Sequence, residues 1–188
     1  MNDHIFPAIK LTFICMLWFA GFYPLLVWGV AQLAPNNGKG NIILHKGSYH
    51  YSNVGQKFTD DKYFWSRPSA VDYNAAGAGG SNKGPSNPDY LAQVQARIDT
   101  FLAHNPGVVK ADIPSELVTA SGGGLDPHIS VLAAEIQAPR IAKIRNLPEP
   151  DIRALIARHT NAPMLGLFGT ETINVLQLNI SLDQLNKQ

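Results

Sequence analysis

A chain of 188 residues with a formal net charge of +1 offers no basic field for nucleic acid and no acidic tail. Its one cysteine, Cys15, lies in an apolar N-terminal run, so the rest of the chain can build neither a disulfide nor a cysteine metal site. Thirteen prolines and sixteen glycines point to a loop-rich domain beyond that run.

The first predicted element is a membrane helix. Between Lys10 and Lys39 there is no Asp, Glu, Lys or Arg, and Leu11 to Val30 is almost wholly apolar. At about 1.5 Å per residue, about 20 residues cross a 30 Å hydrocarbon layer. Ten Leu, Ile, Phe and Val fall in this window. Each favours insertion by roughly 0.3–0.6 kcal/mol, a few kcal/mol in sum. Trp28 and Tyr23 suit the headgroup layer, and Pro24 is expected to kink the helix. A cleaved signal peptide, with Gly29-Val30-Ala31 as its cleavage site, is the alternative. The apolar run is longer than a signal core, and Lys10 is the only side-chain cation among the first ten residues, so an anchor is the better reading. The expected division is a tail over 1–10, a transmembrane helix over 11–33 and a soluble domain over 34–188. Lys10 on one flank and Lys39 and Lys46 on the other leave the orientation open.

Beyond a turn at Asn36–Gly40, the stretches 41–46 and 48–54 read as two short strands around Gly47. Phe58 to Arg67 is rich in aromatic residues, and a long polar loop runs from Ser69 to Asn87. Asn87-Pro88 opens a helix with Leu91, Val94, Ile98, Phe101 and Leu102 on one face, stopped by Asn105-Pro106-Gly107. Residues 113–119 form a short extended or single-turn piece, and Ser121–Gly124 a flexible loop. Asp126-Pro127 is expected to cap a further helix, placing His128 in its first turn and Ile129, Leu132, Ala133 and Ile136 inward, with a break at Pro139. Pro148-Glu149-Pro150 opens another. The chain is expected to close on an extended segment, Ile173–Ile180. Strands first, helices in the middle and a strand last predict a small α+β domain behind one N-terminal transmembrane helix.

Candidate chemistry is sparse. The glycine loop at Gly77–Gly84 has Asn82-Lys83-Gly84 where a phosphate-binding loop needs Gly-Lys-Ser/Thr, and Asn82 also replaces the third glycine of the dinucleotide pattern. Ser121, Asp126 and His128 are the residue types of a hydrolytic triad. Ser121 lacks the glycine that opens a nucleophile elbow, and near neighbours along a chain seldom meet in triad geometry. The six histidines are scattered, without the paired helical spacing of a zinc site. No catalytic residue and no metal site is predicted from the residues alone.

Five ordered strings carry a resemblance across nearly the whole chain. They are Tyr63-Phe64-Trp65-Ser66-Arg67-Pro68-Ser69-Ala70, Gly79–Asn82 with Ser86-Asn87-Pro88, Leu117–Gly122, Leu125–Ser130 and Ile173–Asp183. Together they resemble the KdpC subunit family of bacterial high-affinity potassium-transporting P-type ATPases. Gly123 stands where that family often has Ser, and Val131 where Pro often follows. The resemblance implies a non-catalytic accessory subunit of a hetero-oligomeric pump in the bacterial inner membrane. Its implied partners are a channel-like potassium-binding subunit, an ATP-hydrolysing P-type subunit and a small single-helix subunit, besides the lipid bilayer. It implies a cytoplasmic N-terminus and a domain outside the cytoplasm. It also raises a role as catalytic chaperone that promotes ATP binding, with Ser121, Gly122, Gly123 and Gly124 likened to a nucleotide-binding signature and ATP as the only candidate ligand. Tyr63, Phe64, Trp65, Arg67, Pro68, Ser81, Asn82, Asp126, His128, Asn174 and Asn179 are then expected to serve structure or interfaces. A membrane-tethered hydrolase using Ser121 and His128 is the competing expectation.

Overall fold

Uninterrupted apolar sequence sets the first element. In the computed structural model of the chain, which describes residues 4–185, helix α1 (Ile5–Met16) continues through a π-helical turn (Leu17–Phe22) into α2 (Tyr23–Ala31). Together they make one 27-residue helical run, long and apolar enough to cross a bilayer. Beyond Lys10 its side chains are almost wholly apolar on every face, and Phe13, Trp18 and Leu25 are all more than half exposed, as suits a helix solvated by lipid. The π-turn has a local cause. Pro24 has no N–H to donate back along the helix, and its ring crowds the preceding turn. The backbone answers by widening, and Tyr23 N–H donates to the carbonyl of Trp18, five residues back. The irregularity expected at Pro24 is therefore this wide turn on its N-terminal side.

The chain divides into two units, one ending at Leu44 and the other beginning at His45. The division falls within β1 (Ile42–His45), and β2 (Ser48–Tyr51) follows after Lys46 and Gly47, both with positive φ. In the second unit α3 (Pro88–His104) starts where expected, with Asn87 Oδ1 accepting from Tyr90 N–H at 3.0 Å. Phe101 is its one buried residue, whereas Leu91 is half exposed, so the helix lies along the rim of the domain.

Three short strands form an antiparallel sheet in the order β3 (His128–Ile129), β5 (Thr172–Asn174), β4 (Thr160–Asn161). Ile173 pairs with Ile129 on one side and Thr160 on the other. Against this sheet pack α4 (Val131–Glu135), α6 (Glu149–His159) and α7 (Val175–Leu185), while α5 (Ala138–Arg145) packs on α6. Ile129, Ala133, Ile141, Ile152, Ile156, Ile173, Leu178 and Leu182 form the centre of the core. The domain is α+β.

Two sequence expectations are corrected. Asp126 does not cap a helix: its Oδ1 accepts the His128 N–H at 3.0 Å in an Asx turn, and His128 enters a strand paired to Asn174. The helix starts at Val131 instead, capped by Ser130, whose hydroxyl accepts the Ala133 N–H at 3.1 Å. Leu132, expected inward, is 56% exposed as a result. The closing segment is not extended beyond Asn174. That side chain accepts the Gln177 N–H at 3.1 Å and starts a helix that buries Val175, Leu178 and Leu182 at helical spacing.

Candidate functional site

The aromatic string Tyr63–Pro68 has no regular secondary structure, so its backbone polar groups need partners from elsewhere. Three buried side chains supply them. Asn179 on α7 forms a two-bond clamp on Phe64, accepting its N–H at 2.9 Å and donating to its carbonyl at 3.0 Å. Gln137 accepts the Trp65 N–H at 2.8 Å and donates to the Ala133 carbonyl at 2.8 Å. Arg140 donates to the carbonyls of Asp61 and Tyr63, to Asn105 Oδ1 at 2.9 Å and to Gln137 Oε1 at 2.8 Å. Its guanidinium also lies 4.9 Å from the Trp65 ring centroid. Burial lowers the Arg140 pKa to about 10, against the pull of Asp61 and Asp60, and the group stays charged at neutral pH. Phe64 is thereby fixed at 0% exposure in the core.

A second cluster ties the first residues of the domain to its last helix. Asp183 on α7 accepts from Lys46 Nζ at 2.6 Å, Arg145 at 2.8 Å and the Tyr63 hydroxyl at 3.0 Å. Burial raises its pKa, but these three donors outweigh burial and hold the carboxyl at about 2. Arg67 donates to Asp126 at 2.6 Å. The His128 imidazole, the His128 N–H and Arg67 together hold Asp126 at about 2, against the effect of burial.

The Ser121–Gly124 loop is packed on the polar segment 68–80. Ser121 N–H donates to the Pro68 carbonyl at 3.1 Å, Gly124 N–H to the Ser121 carbonyl at 3.2 Å and Gly79 N–H to the Gly123 carbonyl at 3.0 Å. Gly124 has φ +71, and a Cβ there would lie 2.7 Å from Val71 Cγ2. At Gly80 a Cβ would meet the Gly122 carbonyl at 2.7 Å. Glycine is required at both contacts by close approach. Two of the four N–H groups that could face a phosphate are thus already committed, and the loop leads into β3 rather than into a helix. Gly122 and Gly123 are exposed, whereas Ser121 is 4% exposed.

The expected residues fall into three places. Tyr63, Phe64, Trp65, Asn174 and Asn179 belong to the core and its polar clamps; Asn174 also donates to the Ser52 carbonyl at 2.6 Å. Arg67, Pro68, Asp126, His128 and the 121–124 loop meet around the Arg67–Asp126 pair and the Pro68–Ser121 bond. Ser81 and Asn82 are exposed, Asn82 at φ +53, and Ser81 lines a cavity of about 360 Å³ with Lys83, Tyr90 and Arg97. Among the described residues no hydrogen bond joins Ser121 to His128, and no group of three or more metal-ligating side chains occurs. Sequence reasoning missed Gln137, Arg140, Arg145 and Asp183. Asp183 ends one of the family-like strings, whereas Gln137 and Arg140 beside Pro139 carried no motif at all.

Comparison with known proteins agrees over nearly the full chain. The family model described as "KdpC: K+-transporting ATPase, c chain" matches residues 5–184. A potassium-transporting ATPase KdpC subunit of Flavobacterium psychrophilum is 54% identical over 183 residues, 97% of this chain and 98% of that protein. Its counterpart in Bacteroides fragilis (strain YCH46) is 45% identical over 188 residues, covering 98% of each. The one from Caldanaerobacter subterraneus subsp. tengcongensis is 44% identical over 184 residues, 97% of this chain and 95% of the relative.

Proposed function

The chain belongs to the KdpC family, the c chain of K+-transporting ATPases, and from that premise we propose that it is a non-catalytic accessory subunit that completes assembly of the pump and shapes its outer potassium entrance. One observation carries this reading. Four polar side chains of the family-like strings are spent on internal bonds: Asn179 on Phe64, Asn174 on Ser52 and Gln177, and Arg67 on Asp126. Such residues build a rigid scaffold and leave little for chemistry. The α1–α2 run supplies most of an anchor over residues 11–33 in the inner membrane, with the N-terminus in the cytoplasm and residues 34–188 outside. Its partners are the channel-like potassium-binding subunit, the ATP-hydrolysing subunit and the small single-helix subunit.

Potassium-stimulated ATPase activity of membranes expressing the other subunits is expected to vanish when this chain is omitted and to return when it is supplied. Full activity without it would overturn the proposal. Ser121→Ala is expected to leave that activity unchanged, which separates the scaffold from a hydrolase using Ser121 and His128.

Placement outside the cytoplasm keeps the domain from ATP, so any effect on ATP affinity passes through the partner subunits. Gly123→Cys in a Cys15→Ser background tests this placement directly, because Gly123 is exposed and a Cβ there meets nothing within 4 Å. Reaction with a membrane-impermeant thiol reagent in whole cells is expected. Protection in intact cells, with reaction only after lysis, would place the loop in the cytoplasm and reinstate direct nucleotide contact at Ser121–Gly124.

A further inference from the structure

Between β4 and β5 the chain makes a projecting turn that the proposed pump role does not use. Met164, Leu165, Leu167 and Phe168 are 71%, 79%, 80% and 66% exposed, and only Gly166 interrupts them. Single exposed apolar residues are ordinary on a protein surface, but four at one apex mark a contact site.

The turn is ordered by its own bonds. Met164 N–H donates to the Phe168 carbonyl at 2.9 Å, Phe168 N–H returns to the Met164 carbonyl at 3.0 Å and Gly166 N–H donates to the Pro163 carbonyl at 2.9 Å. Leu165 and Gly166 both have positive φ, +55 and +71. A turn of this hand favours Asn, Asp or Gly at both positions, because a branched L side chain is strained there. Leucine at the apex therefore projects an apolar group at a conformational cost. A polar residue would have relieved that cost in a loop surrounded by water.

We propose that this turn is a wedge that inserts into the surface of the lipid bilayer crossed by the chain's own helix. Three observations favour lipid over a protein partner. The apex is convex and open, with nothing within 4 Å of a Cβ built at Gly166 or Gly169. A protein would need a matching pocket for it, whereas acyl chains and headgroups rearrange around an apolar wedge. Polarity is graded along the hairpin: no charged residue occurs from Thr160 to Thr170, the base carries Thr160, Asn161 and Thr170, and the first charged residues, Arg158 and Glu171, flank that base. Such a profile matches the passage from acyl chain through headgroup to water. A lipid surface is also always within reach, because the thirteen residues Gln32–Leu44 between the helix and the domain extend at most about 45 Å.

The test uses the full chain with Cys15→Ser and a fluorophore on Leu167→Cys, reconstituted in phosphatidylcholine and phosphatidylglycerol vesicles. Quenching by a lipid labelled high on its acyl chain is compared with quenching by aqueous iodide, and a label on Asp112→Cys, an exposed position, serves as reference. The lipid-to-iodide quenching ratio at position 167 is expected to exceed the reference at least threefold. Adding Leu165→Asn, which suits the left-handed backbone and keeps the turn folded, is expected to lower that ratio at least twofold. Equal ratios at the two positions overturn the proposal. So does a label at 167 that is quenched by neither agent once the other pump subunits are present, since that outcome assigns the turn to a protein partner.

Discussion

Replacing Asn179 by leucine and by aspartate separates the clamp on Phe64 from mere packing. Asn179 is 2% exposed and makes both bonds to a residue that is itself 0% exposed. Leucine has the same branching and number of side-chain heavy atoms, though more bulk, and leaves the Phe64 N–H and carbonyl unpaired, at about 1–3 kcal/mol each. Added apolar burial offsets about 1 kcal/mol of this, for a net loss of about 1–5 kcal/mol. Aspartate keeps the acceptor for the Phe64 N–H but points its second oxygen at the Phe64 carbonyl. Burial and that carbonyl both disfavour the charged form, so the folded-state pKa of the new carboxyl is raised above its unfolded value of about 3.9. Its contribution is then fully present below that unfolded value and is lost as pH rises through the folded-state pKa, at about 1.4 kcal/mol per unit of difference. When protonated, the carboxyl can donate to the Phe64 carbonyl and restore both bonds. Urea unfolding of the full chain in detergent, followed by near-ultraviolet circular dichroism from pH 5 to 8, measures both variants. The acid response of Asp126 and Asp183 is common to the two and cancels in their difference. Asn179→Asp is expected to gain on Asn179→Leu as pH falls. A difference independent of pH, or a leucine variant within about 1 kcal/mol of the native chain, would refute the clamp.

At Gly124 an alanine meets both a left-handed backbone and Val71 at 2.7 Å, so Gly124→Ala is expected to cost about 1–3 kcal/mol, whereas Gly123→Ala stays within about 0.5 kcal/mol; thermal melts of the pair decide this. Asp183, held at about 2, supports the fold above its unfolded pKa, and that support fades as pH falls from about 4 towards 2. Partial solvent screening trims the two-unit difference to roughly 1–2 kcal/mol. Asp183→Asn should flatten the acid limb of the stability profile by that amount. Asn87→Ala removes the cap on α3 and should cost about 1 kcal/mol in the same urea titration, with Asn87→Asp largely restoring it.

Legibility from sequence followed the range of the interactions concerned. The membrane helix was readable because insertion depends on local composition, and α3 and α6 because Asn87-Pro88 and Pro148-Glu149-Pro150 are local start signals. The segment after Ser121 was misread for an equally physical reason. An Asp before a Pro suits a helix cap and an Asx turn alike, and the choice fell to a ladder with Asn174, distant in sequence. At Ile173–Ile180 the apolar spacing fits strand or helix over a few residues, and Asn174 decides it by capping. The family-like strings contain Asn174, Asn179 and Asp183 without revealing what they hold. Nothing local marks Gln137 or Arg140, because their partners are backbone groups about 70–80 residues earlier in the chain.

Those distant clamps also bear on why an accessory subunit needs them. The stretch from Ser52 to Asn87 forms no helix or strand, so it cannot keep its shape through its own backbone bonds. Asn179, Gln137 and Arg140 pin residues 61–65, the Ser121 N–H donates to the Pro68 carbonyl, and the Gly123 carbonyl takes the Gly79 N–H. A long irregular surface becomes rigid in this way. A partner that meets it then has little ordering entropy to overcome, since the chain has already lost that freedom on folding. Loosening the clamps should therefore weaken subunit assembly before the isolated domain unfolds. Asn179→Leu at a urea concentration well below its own midpoint is the condition to examine. Its yield of co-purified pump should fall by more than the unfolded fraction accounts for. Co-purification that simply tracks the folded fraction would show that the rigidity of this surface does not matter to assembly.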